Sequence, residues 1–134
     1  MDFFIKTETD DDTLSAHDKF NEAAELFRTH LNSGKTCEEF VSTQGYLDIR
    51  AYLNLHELMA VGINQKVFDN DVCYDFWSGE LDKACERTQE LIVYIQSRPD
   101  EPGTYCELVK VSQDWEKRWK EAASGRVWPG QARP

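Results

Sequence analysis

Arg50, Asn54, His56 and Glu57 sit within RAYLNLHELMAVGIN, the most apolar stretch of an otherwise polar chain. Charged and amide groups in such a setting either bind a polar ligand or satisfy each other and hold the fold together. At about 100° per residue around a helix, Arg50, Asn54 and Glu57 fall in one sector, spaced i, i+4, i+7 as stacked neighbours. The leading reading is structural. Arg50 and Glu57 pair across two turns with Asn54 between them, because a half-buried charge needs its partner. In the alternative, the same stripe lines a cleft and binds a small polar ligand. His56 lies on another side of the helix, near Tyr52 and Met59, and reads as a core histidine.

Patterns for other chemistry are incomplete in this chain. The zinc-protease pattern H-E-x-x-H needs a second His four residues after His56, and that residue is Ala60. His17, His30 and the four cysteines, Cys37, Cys73, Cys85 and Cys106, lack the close spacing of metal ligands. A calcium loop starting at Asp69 would need Gly at its sixth position, where Tyr74 stands. No G-x-x-x-x-G-K, G-x-G-x-x-G or G-x-S-x-G occurs. Asp69 and Asp71 suit a helix start better than an acid–base pair. No catalytic residue, metal or cofactor is assigned, and the chain is read as a non-enzyme.

These groups are held by a chain of 134 residues with a net charge of −10, 40% hydrophobic and 12% aromatic. That size and composition fit one globular domain with a real core. Acidity opposes direct nucleic-acid binding, where phosphate neutralisation supplies most of the affinity, and favours partners with basic surfaces. The charge is uneven: six Lys/Arg against four acids follow Thr104, so that part is +2 and the remainder −12. Met1 is followed by an acid, and the apolar run Phe3–Ile5 is too short for a signal peptide. Four scattered thiols then read as reduced and cytoplasmic, and no stretch is long enough to span a bilayer.

Periodicity predicts an all-α fold, a single-domain bundle of about five helices. Residues 1–12 form an acidic N-terminal segment, 13–123 the helical domain and 124–134 a flexible tail. Ala16, Phe20, Ala23, Ala24, Phe27 and Leu31 make the buried stripe of the first helix. Thr36 and Glu39 match a capping box, as do Thr104 and Glu107. The central helix runs from about Leu47 to Ile63 and is apolar almost all round. Asp69-Asn70-Asp71 starts a long helix to Arg98, with Val72, Phe76, Leu81, Cys85, Leu91, Ile92 and Ile95 inward and Gly79 as the place it bends or splits. Tyr105, Leu108, Val111, Trp115 and Trp119 form the stripe of the last helix. Trp77, Trp115 and Trp119 read as core, whereas Trp128, in the tail, folds back or anchors a partner.

Leu53, Asn54, Glu57, Leu58, Ala60, Gly62, Ile63, Val67, Phe68, Asp69, Phe76 and Trp77, with Trp115-Glu116 and Arg118-Trp119 later, carry a resemblance. Over roughly residues 46–121 the chain resembles an uncharacterised bacterial family, domain of unknown function 4760. The resemblance implies a helical fold with a paired-helix core, and no reaction. Many members carry N-terminal membrane helices, where this chain has an acidic helix. Asn54 and Glu57 belong to the shared pattern, and Glu57 is expected to bond to the loop before Asp69 or to Arg50.

Three functions follow as expectations. The first is a small acidic interaction or regulatory module without catalysis, a monomer or homodimer that binds one protein. The second is an acidic inhibitor from a phage or other mobile element that fills the basic channel of a host nucleic-acid-binding defence complex. For it, Glu8, Asp10, Asp11, Asp12, Asp18, Glu22 and Glu25 must share one outward face. The third is a small-ligand protein using Arg50, Asn54 and Glu57.

Overall fold

The structure is a computed structural model that describes residues 11–124, with side chains described from residue 15. Glu8, Asp10 and Trp128 lie outside the described residues, as do the side chains of Asp11 and Asp12. Among the described residues there are six helices and no strand: α1 (Asp11–Asn32), α2 (Cys37–Phe40), α3 (Gln44–Asn64), α4 (Asn70–Arg87), α5 (Gln89–Gln96) and α6 (Cys106–Ser124). The chain divides into two compact units. One comprises Met1–Leu55 with Arg87–Thr104, the other His56–Glu86 with Tyr105–Pro134.

In the first unit, α1 buries Phe20, Ala23, Ala24 and Phe27, the heart of its predicted stripe. Small alanines let aromatic neighbours close in. Phe20 stacks on Tyr52 at 4.4 Å between centroids, and Phe27 meets Phe40 at 4.9 Å. The Thr36 capping box forms as expected: Thr36 accepts from the Glu39 N–H while the Glu39 carboxylate receives the Thr36 N–H. Arg87 ties α1 to the start of α5, donating to the side-chain and backbone oxygens of Asn21 at 2.9 and 3.2 Å. Arg28 reaches Glu90 at 2.9 Å.

In the second unit, Asp69 caps α4 by accepting the Val72 N–H at 3.0 Å, so the predicted start is correct. The rest of that long helix departs from expectation. It stops at Arg87 and resumes at Gln89, with Thr88 out of the helical region at φ −123°, ψ 19°. The helix runs unbroken through Gly79. With open space where its side chain would be, Gly79 costs helix propensity but meets no packing demand. Fully buried Thr88 and tethered Arg87 break the helix instead.

The inward face of α4 also differs. Cys73, Tyr74, Trp77, Leu81 and Ala84 are buried, whereas Val72 and Phe76 are exposed. Aromatic contacts select this face: Tyr74 meets Trp115 edge-on at 5.6 Å, and Arg118 sits 4.1 Å over the Tyr74 ring. The Trp115 indole N–H donates to Asn70 at 2.8 Å. Trp119 lies one turn beyond this cluster and is exposed rather than core.

α3 ends at Asn64, two residues past Gly62. The role of Gly62 is close approach. A Cβ there would lie 2.4 Å from the ring of Phe68, which folds back with Val67 so that both N–H groups reach the Gly62 carbonyl. Lys66, at φ 62°, makes the reversal. Gly62→Ala gains up to about 1 kcal/mol of helix propensity but overpacks the ring at a cost of about 1–3 kcal/mol. The variant should melt below the parent, and the same change made in a Phe68→Ala background should cost less relative to Phe68→Ala alone. Thermal denaturation of the single and double variants checks this.

Candidate functional site

The polar residues of α3 have partners other than those expected. In the first unit, Arg50 does not pair with Glu57. Its guanidinium donates to Glu101 at 2.9 and 3.4 Å and to the Tyr46 hydroxyl at 2.8 Å. Arg98 joins from 3.5 Å, so one carboxylate faces two guanidinium groups. The side-chain bond from Arg50 holds the Glu101 carboxyl below its ordinary range. Thr104, expected to cap the last helix, instead donates to Glu101 at 3.4 Å.

In the second unit, Glu57 bonds neither to Arg50 nor to the loop before Asp69. Its carboxylate accepts the Leu108 N–H at 2.8 Å, and the Glu107 N–H also bonds to it. Those are orphan donors of the first turn of α6. Tyr105, which precedes the helix at φ 64°, offers no short side-chain acceptor of its own. Glu57 therefore caps a helix distant in sequence. Asn64 completes the clasp, donating to the Glu107 carbonyl at 3.3 Å and to its carboxylate at 2.8 Å. Burial pushes the Glu57 carboxyl up, against the pull of the two N–H bonds, and the Glu107 charge adds to the rise.

Asn54 is exposed and His56 is buried. Arg50 and Glu57 are half-buried on the stripe, and Asn54 is exposed. The flank continues to Asn64, seven residues after Glu57, and sequence reasoning missed it although that spacing was visible. Glu101 was missed because nothing local marks a loop carboxylate as a partner for Arg50.

Although α3 is apolar almost all round, one side of it faces outward. Leu47, Ala51, Asn54, Leu58 and Val61 are exposed along one line. On α1, Asp18, Glu22 and Glu25 are exposed at helical spacing, and Glu25 reaches Arg87 at 3.8 Å.

Cys73 is buried, Cys37 and Cys85 are half-buried and Cys106 is exposed. Burial pushes Cys73 and Cys85 up to about 11. None of the four cysteines is in a disulfide. His30 shares a 2.7 Å bond with the Thr36 carbonyl. Among the described residues, no group of three His, Cys, Asp or Glu is placed to hold a metal ion. No helix among them is long and apolar enough to cross a membrane. Asp82, half-buried on α4, is pushed up to about 6, first by burial and then by the Glu116 and Glu86 charges.

A family model described as Domain of unknown function (DUF4760) matches residues 1–115. The match takes in the acidic first helix, ahead of where the resemblance was expected to begin. No curated protein and no solved structure matches the chain.

Two outcomes follow. Glu57→Ala should lower unfolding free energy by about 1–2 kcal/mol, the cost of a lost cap. Glu57→Gln should cost less, because the amide oxygen still accepts an N–H and the charge no longer has to be buried; urea titration at neutral pH compares them. For Asp82, a raised folded pKa means the folded state binds the proton more tightly. Its effect is absent below pH 3.8 and grows destabilising as pH rises through about 6. Asp82→Asn should therefore melt a few degrees above the parent at pH 7.5, and the gap should close near pH 3.5. A constant gap would rule out this carboxyl as its source.

Proposed function

The chain belongs to the family described as Domain of unknown function (DUF4760), and on that premise we propose that it is a non-catalytic interaction module that presents the outward face of α3 to a protein partner. One observation carries the reading. Leu47, Leu58 and Val61 stand exposed in line on a helix whose flanking charges are engaged elsewhere, Arg50 with Glu101 and Glu57 with α6. Large apolar side chains aligned on one face mark contact sites more often than lone ones do. A ligand reading draws less support, because Arg50 and Glu57 spend their strongest bonds inside the fold. The reading places the module in the cytoplasm and gives it no cofactor, metal, nucleic acid or membrane to bind.

A second reading keeps a specific observation. Asp18, Glu22 and Glu25 share the outward side of α1, as an acidic inhibitor of a basic nucleic-acid-binding complex requires. Such an interaction is salt-sensitive, since exposed charges are screened.

Capture from nuclease-treated host lysate separates the two. Under the α3 reading, a protein partner stays bound at high salt and is lost with Leu58→Glu, while Asp18→Lys/Glu22→Lys retains it. Under the acidic reading, salt releases the partner and the charge-reversal variant loses it. Capture indifferent to both variants contradicts both.

A further inference from the structure

We propose that α6 is an acid-tightened latch, whose middle turns close on α4 when a proton settles between Asp82 and Glu116 and loosen when it leaves. The inference is independent of which partner the interaction module binds. Every residue of the latch belongs to the second unit.

Contacts along the two helices set the register. Near the end of α4, Cys85 shares a side-chain hydrogen bond with Ser112. Near its start, Asn70 accepts from the Trp115 indole and Asp71 from Arg118, both at 2.8 Å. Low numbers on α4 therefore meet high numbers on α6, and the two helices run antiparallel. Asp82 lies one turn before Cys85, and Glu116 lies one turn after Ser112. The same register brings these two carboxylates together, and the Glu116 charge acts on Asp82.

The two ends of that interface differ in chemistry. At the start of α4 the groups attract. Arg118 bonds to Asp71 and sits 4.1 Å over Tyr74, whose ring meets Trp115. At Asp82 the groups repel. Glu116 faces it from α6 and Glu86 from its own helix, with the Cys85 thiol beside it. Nearby cations are engaged or turned aside. Lys120 bonds to Glu116 at 2.7 Å, and Lys117 is drawn to Glu121 at 4.0 Å. Lys83, next in the chain, stands about 100° round α4. Among the described residues, no cation offsets the Asp82 charge.

A carboxylate half-withdrawn from water without a cation holds a proton more tightly. Burial first, then the Glu116 and Glu86 charges, push Asp82 from its ordinary 3.8 up to about 6. Opening α6 restores the ordinary value, so closure strengthens as pH falls through about 6 and weakens as pH rises through it. Glu57, beside Glu107 at the start of α6, is also pushed up by burial, so acid acts there in the same direction.

Amide hydrogen exchange of the full chain at pH 5 and pH 7.5, each corrected for its intrinsic rate, tests this. Full linkage changes the opening constant about tenfold over that interval, and solvent screening of a half-exposed group reduces the change. Protection at residues 112–116 should therefore be about three- to tenfold higher at pH 5. In Asp82→Asn that ratio should fall toward one, while Glu57→Gln should keep most of it. In a carbon-detected NMR titration the Asp82 carboxyl should have its midpoint near 6, and Glu116→Gln should move it down. A ratio undiminished in Asp82→Asn overturns the inference, as does an Asp82 midpoint in the ordinary aspartate range. An equal change at the α1 amides of residues 20–27 also overturns it, because that marks a shift in global stability and not a latch.

Discussion

The carboxylate of Glu57 under the first turn of α6 is the interaction on which the second unit depends. A helix leaves its first N–H groups without partners, and the residues before Cys106 give α6 no side chain that serves. Tyr105 adopts φ 64° and buries its ring instead. Glu57 supplies the acceptor from α3, and Asn64, two turns on, grips Glu107. The positive end of the α6 dipole favours the charge that burial disfavours. With α6 fixed at its start, Leu108, Val111 and Trp115 enter the core, and Trp115 in turn orients Tyr74 and Asn70 on α4.

The first unit handles charge differently. Arg50 and Arg98 converge on Glu101 with the Tyr46 hydroxyl between them, so the polar groups of that corner satisfy one another without a ligand. Arg50 also lies 5.6 Å from the Tyr46 ring centroid, which stabilises a cation partly withdrawn from water. One flank of α3 therefore does structural work in both units, through different partners. The adjoining line of Leu47, Ala51, Asn54, Leu58 and Val61 is uncharged and exposed.

Local signals in the chain were readable wherever local physics decides. The stripe of Phe20, Ala23, Ala24 and Phe27, the Thr36 box and the Asp69 cap depend on neighbours within a few residues, and each formed as expected. The T-x-x-E pattern at Thr104 did not, because Glu57 and Glu101 offer bonds that the local pattern cannot anticipate. The α4 face was misjudged because Val72 and Phe76 are as apolar as the residues that bury; only the partner aromatic, Trp115, decides between them. Arg50 and Glu57 were read as a pair, and each bonds to a different partner. Sequence spacing shows which groups share a flank, but not which distant loop or helix end meets that flank.

What remains on the surface is then informative. An acidic α1 face and an uncharged α3 face are different tools, one suited to salt-sensitive contacts and one to dry packing. Adjacent residues Glu57 and Leu58 differ in setting, one bonded to the start of α6 and one exposed. Amide hydrogen exchange at Glu107 and Leu108 tests that most directly. Glu57→Ala should expose both amides to exchange while Leu58→Glu leaves them protected as in the parent. Unchanged protection in Glu57→Ala, or equal loss in both variants, would contradict it.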